Sequence, residues 1–214
     1  MFTKTAALGE TAQRFFEGLR QTTLLEFIAV LSGIASVWFS KKENILVYPT
    51  GLVNTTIYIY LSLTGNLFGE ASVNFYYTIM NIYGWVLWSK KDQDHNNLLI
   101  IKHSSGKEWV LQLVFFGGFY LLIFMLLSYL KADFAPGALP AADAFASATA
   151  YTGMWLMAKK KVESWYWWIA TDIASIPLYF TKGFVFTSFQ FMILLVLAIP
   201  GLISWHKKAA YASN

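Results

Sequence analysis

The sequence predicts an all-α integral membrane protein of seven transmembrane helices, organised as a 3+1+3 parallel repeat. Three observations predict it. Of the 214 residues, 57% are hydrophobic and only 13% charged, with a mean hydropathy of +0.48, whereas a soluble domain carries about a quarter charged residues. Seven apolar stretches each approach the roughly 20 residues that a helix needs to cross a bilayer. The basic residues also sort onto alternate loops, as they do when each stretch is a crossing.

Residues 1–23 place Leu8, Ala12, Phe15, Phe16 and Leu19 on one helical face. This reads as an amphipathic helix on the membrane surface, or as an extension of the first crossing. The segment lacks an apolar core and carries Glu10, Arg14, Glu17 and Arg20, so it is not a secretory signal. The crossings are expected at 24–40, 45–63, 71–88, 109–130, 141–158, 165–181 and 184–205. In the second, Pro49 and Gly51 mark either a break at membrane depth or the helix's first turn. The fourth is uncharged, and its Gly117-Gly118 pair allows either close packing or a bend. Residues 131–140, with Pro136, Gly137 and Pro140, form a loop.

Lys4, Arg14, Arg20, Lys131 and Lys182 fall on the side of the N-terminus. The other eleven basic residues fall on the opposite side, including Lys41-Lys42, Lys90-Lys91, Lys159–Lys161 and Lys207-Lys208. The positive-inside rule puts the richer side in the cytoplasm, with the N-terminus outside and the C-terminus inside.

An internal echo supports the same count. Gly84, Trp88 and Lys90-Lys91 recur as Gly201, Trp205 and Lys207-Lys208 at a spacing of 117 residues. Upstream, Lys41-Lys42 and Asn44 are echoed by Lys160-Lys161 and Glu163 at a spacing of 119, and Tyr60 falls on Tyr179 at the same spacing. The expected organisation is a first repeat over 24–88, a linker crossing over 109–130 and a second repeat over 141–206. Three crossings reverse the chain, so a fourth is required before a second parallel copy can start. In such transporters the substrate lies between the repeats near the midplane.

The sixth crossing carries the chemistry. Trp165, Trp168, Asp172, Ser175 and Tyr179 lie on one helical face. A carboxylate at mid-membrane costs about 2.5–3.5 kcal/mol on insertion scales and marks a polar cavity by default. The alternatives are an interfacial belt for the Trp residues and a structural partner for Asp172. In the third crossing Asn74, Tyr77, Thr78 and Asn81 form a second polar face, read as cavity lining or as interhelical glue. Asn44, Asn54 and Tyr58 are further candidates in and before the second crossing. Glu26, Asp143 and Asp172 are the acidic residues expected within crossings. That is thin for ion coupling and favours facilitated diffusion.

With no Cys, no His pair at ligand spacing and no phosphate loop or nucleophile elbow, no metal, cofactor, nucleic-acid partner or enzymatic activity is expected.

Asn81-Ile-Tyr-Gly-Trp with Trp88, and Val162-Glu163 with Trp165, Trp168 and Asp172, resemble the PnuC family of bacterial vitamin transporters. The resemblance spans nearly all of 24–208. It implies a seven-helix fold similar to a full-length SWEET arrangement, a homotrimer in the inner membrane, and uniport of unphosphorylated nicotinamide riboside. A cytoplasmic kinase then traps the substrate, feeding NAD biosynthesis. It also implies substrate contacts from Trp165, Trp168, Asp172, Asn74 and Asn81, and a gate or brace at Glu163. Tyr77, Asn54 and Ser175 join the substrate candidates by position, and Asn44 joins Glu163. Asp172 equally suits thiamine, another flat aromatic cation that relatives carry. Riboflavin, nucleosides and sugars fit a buried carboxylate less well.

Overall fold

The computed structural model describes residues 23–64, 68–91, 97–131 and 137–211, together with Gln13, Phe16 and Glu17. Apart from those three helical residues, the N-terminal amphipathic segment lies outside the described residues. Seven long helices follow: α1 (Leu24–Lys41), α2 (Val47–Thr64), α3 (Phe68–Trp88), α4 (Gly106–Leu130), α5 (Pro140–Ala158), α6 (Ser164–Thr181) and α7 (Val185–Tyr211). Of these, α1, α4 and α7 are long and apolar enough to cross a membrane by length and composition alone. The other four are diluted by polar side chains such as Asn54, Thr55, Asn74, Asn81, Thr149, Thr171 and Asp172.

Local chemistry explains the ends. Thr23 caps α1 by accepting from Glu26 N. Ser105 and Glu108 form a reciprocal capping box that starts α4 three residues earlier than the apolar pattern alone requires. Pro49 occupies the first turn of α2, where a missing N–H costs nothing. A Cβ on Gly117 or Gly118 would meet no neighbouring atom, so this pair serves neither close packing nor contact. α3 starts at Phe68 and so includes Glu70, which the sequence pattern left outside.

Six helices close into a ring in the order α1–α2–α3–α5–α6–α7, with α7 returning to α1, while α4 packs on α5. The helix ends recur at one spacing. The C-termini of α1 and α5, both ends of α2 and α6, and the starts of α3 and α7 are each 117 residues apart. The spacing of 119 expected for the first loop is corrected accordingly. Glu43 and Lys160, also 117 residues apart, both adopt left-handed backbone (φ 58° and 52°) in the turns that follow α1 and α5.

Residues at this spacing also touch one another. Ser40 Oγ donates to Met157 Sδ at 2.8 Å. Lys160 Nζ donates to Glu43 Oε1 at 2.7 Å and sits 4.7 Å over the Trp88 ring. Trp88 Nε1 donates to Ala158 O, and Trp205 Nε1 reciprocates to Ser40 O. Tyr48, Trp88, Trp165 and Trp205 fill this end as an aromatic core. Gly84 and Gly201 make the packing possible, because a Cβ on either would collide with the ring of Tyr48 or of Trp165. Gly84→Ala is expected to cost about 1–3 kcal/mol by overpacking. The readout is the melting temperature in detergent, and an unchanged value would show that Tyr48 is not held there.

Candidate substrate site inside the helix ring

α3 and α6 do not pack directly on each other, yet their side chains meet. Tyr77 and Trp168 approach with ring centroids 6.3 Å apart, tilted by 52°. Tyr77 lies within electrostatic reach of Asp172 on α6 and of Tyr179 two turns further along it. Tyr151 of α5 stands edge-on behind Tyr77 at 6.1 Å.

Asp172 is only 3% exposed, and among the described residues no hydrogen bond or ion pair reaches it. Asn81 is equally buried and equally without a hydrogen bond from a described residue. Ser175 is buried one turn from Asp172. A buried polar group with no partner costs free energy comparable to a lost hydrogen bond, and a charge costs more. Asp172 and Asn81, with the indole of Trp168 and the phenol of Tyr77, are the candidate contacts for a ligand from outside the protein.

The remaining candidates sit differently. Trp165, 1% exposed, packs edge-on against Trp205 at 5.6 Å in the aromatic core. Its Nε1 is buried without a partner, as is the hydroxyl of Tyr48. Asn54 Nδ2 donates to Ala29 O at 2.7 Å, tying α2 to α1. Asn74 Nδ2 donates to Glu70 O within its own helix. Asn44 is exposed and caps the turn into α2 by accepting from Leu46 N. Glu163 is a buried brace: its Oε2 accepts from Ser104 N and Oγ at 2.9 and 2.7 Å, and its Oε1 lies 3.1 Å from His103 Nδ1. Burial pushes the Glu163 carboxyl up, but the Ser104 and His103 hydrogen bonds outweigh this and hold it below its ordinary value. Gln112 extends the brace by donating to Ser104 Oγ and accepting from Trp167 Nε1.

Sequence patterning missed two residues that pack against these candidates. A Cβ on Gly153 of α5 would lie 3.2 Å from Trp168 Cε2, so the indole rests on α5 backbone. A Cβ on Gly51 of α2 would lie 2.5 Å from Asn81 Oδ1. The spacing of 117 could have exposed the second, since Gly51 stands where the other half carries Trp168.

The family model of the nicotinamide mononucleotide transporters matches residues 23–207. The chain belongs to this family. Within the nicotinamide mononucleotide transporter family, it is 22% identical over 205 residues to the nicotinamide riboside transporter PnuC of Escherichia coli K12, covering 86% of each chain. It is 25% identical to the PnuC of Neisseria mucosa, covering 86% of this chain and 72% of that one. It is also 19% identical to the riboflavin/roseoflavin transporter RibM of Streptomyces davaonensis, covering 84% and 83%. In fold it is similar to the crystal structure of the vitamin B3 transporter PnuC, with a TM-score of 0.70 and 23% identity, covering 95% and 88% of the two chains. This family member is therefore a membrane transporter protein with the PnuC fold, and its relatives are transporters rather than enzymes.

Proposed function

We propose that the protein imports nicotinamide riboside across the bacterial inner membrane by facilitated diffusion. The observation that carries this reading is the unpartnered, buried Asp172 carboxylate beside Trp168 and Tyr77. A pyridinium cation supplies the missing charge, and aromatic faces attract such a cation by about 0.5–2 kcal/mol. The Asn81 amide offers two donors and an acceptor to a carboxamide or ribose hydroxyls. Asn74 and Ser175 border these groups, Trp165 lies one turn closer to the cytoplasmic end, and Glu163 braces that end.

The seven helices cross the membrane as a 3+1+3 parallel repeat in a SWEET-like arrangement, with the N-terminus outside. Two observations support this: the constant 117-residue spacing of helix ends and the gathering of Lys160, Lys161 and Lys208 at one end of the ring. Transport is uniport, because the acidic groups in the helices suffice for a cationic substrate but not for an additional ion site. A cytoplasmic kinase traps the product as a phosphate, and the assembly is a homotrimer. The buried carboxylate also favours a second reading, thiamine, over the neutral ring of riboflavin.

Titration of the purified protein, followed by Trp fluorescence, is expected to show saturable quenching by nicotinamide riboside. Uptake into vesicles is expected to run down the substrate gradient with no ion gradient imposed. Quenching by thiamine alone would change the vitamin, and uptake abolished by an ionophore would remove uniport.

A further inference from the structure

We propose that Gly153 and Gly51 position the substrate contacts Trp168 and Asn81 by seating them against bare helix backbone. This rests on the substrate reading above and extends it to residues that touch no substrate. The two glycines act through the side chains they seat, so they are positioning residues.

The geometry is specific. Three indole and ring atoms' worth of Trp168 edge faces Gly153, with Cε2, Cδ2 and Nε1 at 3.2–3.3 Å from the position of a Cβ. That is tighter than ordinary van der Waals contact, so an alanine must push the indole off α5. The indole also approaches Tyr77, with ring centroids 6.3 Å apart and a tilt of 52°. At that separation and tilt the two rings are in direct aromatic contact, so a displacement of the indole by a few tenths of an ångström disturbs how Trp168 is presented. On α2, an alanine at 51 would displace the Asn81 amide, since its Oδ1, Cγ and Nδ2 all lie within 3.0 Å of the added carbon.

The two halves differ at this level. Gly51 with Asn81 occupies the places that Trp168 with Ala198 occupies 117 residues later. One half thus presents an amide over a glycine, and the other an indole over a different glycine. Each of these two side chains depends for its seat on the absence of one methyl group.

The test is a double-mutant cycle on the full-length protein, with nicotinamide riboside as the probe. Gly153→Ala is expected to weaken binding at least tenfold. In a Trp168→Phe background, whose smaller ring leaves room for the methyl group, the same substitution is expected to change affinity less than threefold. The Trp emission of Gly153→Ala should also shift relative to wild type, while that of Gly153→Ala/Trp168→Phe should not shift relative to Trp168→Phe. Equal losses in both backgrounds, or a lower melting temperature with unchanged affinity, would overturn the proposal. Gly84→Ala, which presses on Tyr48 in the aromatic core, serves as the comparison and should lower melting temperature without changing the affinity of the folded protein. If Trp168→Phe and Asp172→Ala both leave affinity unchanged, the substrate reading itself fails, an outcome distinct from additivity in the cycle. Gly51→Ala is expected to weaken nicotinamide riboside tenfold and to be rescued in part by Asn81→Ser. An unrescued loss would remove Gly51 from the proposal.

Discussion

Asp172→Ala is expected to weaken nicotinamide riboside binding tenfold or more while the protein still inserts and purifies. Tenfold corresponds to about 1.4 kcal/mol, a modest share of what a buried carboxylate contributes when a cation arrives to pair with it. In the empty protein the balance is reversed. Asp172 is buried without a partner, and a mid-membrane carboxylate costs about 2.5–3.5 kcal/mol. The same substitution should therefore leave the melting temperature of the empty protein unchanged or raised. Falling affinity with rising stability is the pattern of a residue kept for function at the expense of the fold. Asp172→Asn should fall between, because it retains hydrogen bonding and loses charge. A titration in which Asp172→Ala binds as tightly as wild type would remove α6 from the site.

Glu43→Ala is expected to destabilise the protein by about 3 kcal/mol, the scale of a buried pair losing one partner. Lys160 is 1% exposed, and its ammonium is held by Glu43 at 2.7 Å and by the face of Trp88. Without the carboxylate, only the indole remains to the ammonium among the described residues. Lys160→Met should cost much less, since it removes the buried charge itself and leaves Glu43 its second partner, Lys208, at 2.8 Å. Melting temperatures of the two variants check the order, and equal losses would show that the pair acts as packing rather than charge. A pH dependence accompanies it. Burial raises the Glu43 carboxyl, but Lys160 and Lys208 outweigh burial and hold it below its ordinary value of 4.5. A folded value below the unfolded one means that this stability is complete above 4.5 and is lost as pH falls through the folded value. Acid melting of Glu43→Ala should lack that component.

Much of this was legible in the chain. The seven helices fall within a few residues of the apolar stretches, except that α7 runs on to Tyr211, because Lys207, Lys208 and the alanines that follow continue a helix as readily as apolar residues do. Periodicity put Tyr77 with Asn81, and Trp168 with Asp172 and Ser175, on common faces, since a helix repeats every 3.6 residues whatever surrounds it.

Periodicity could not say what each face meets. Asn54 and Asn81 are the same residue type in neighbouring helices. Only the fold gives Asn54 the carbonyl of Ala29 and leaves Asn81 open over Gly51. Trp165 and Trp168 lie three residues apart on one face. One is locked against Trp205 and the other leans on Gly153 toward Tyr77. By itself the sequence determined a membrane protein of seven helices, where they begin and end, and which of their faces are polar, because length, hydropathy and helical period are properties of contiguous residues. The tertiary structure alone decided which polar groups are satisfied and which wait empty, and it paired Glu43 with Lys160 across 117 residues. Partnership between distant segments depends on how helices are brought together, and no local pattern encodes that.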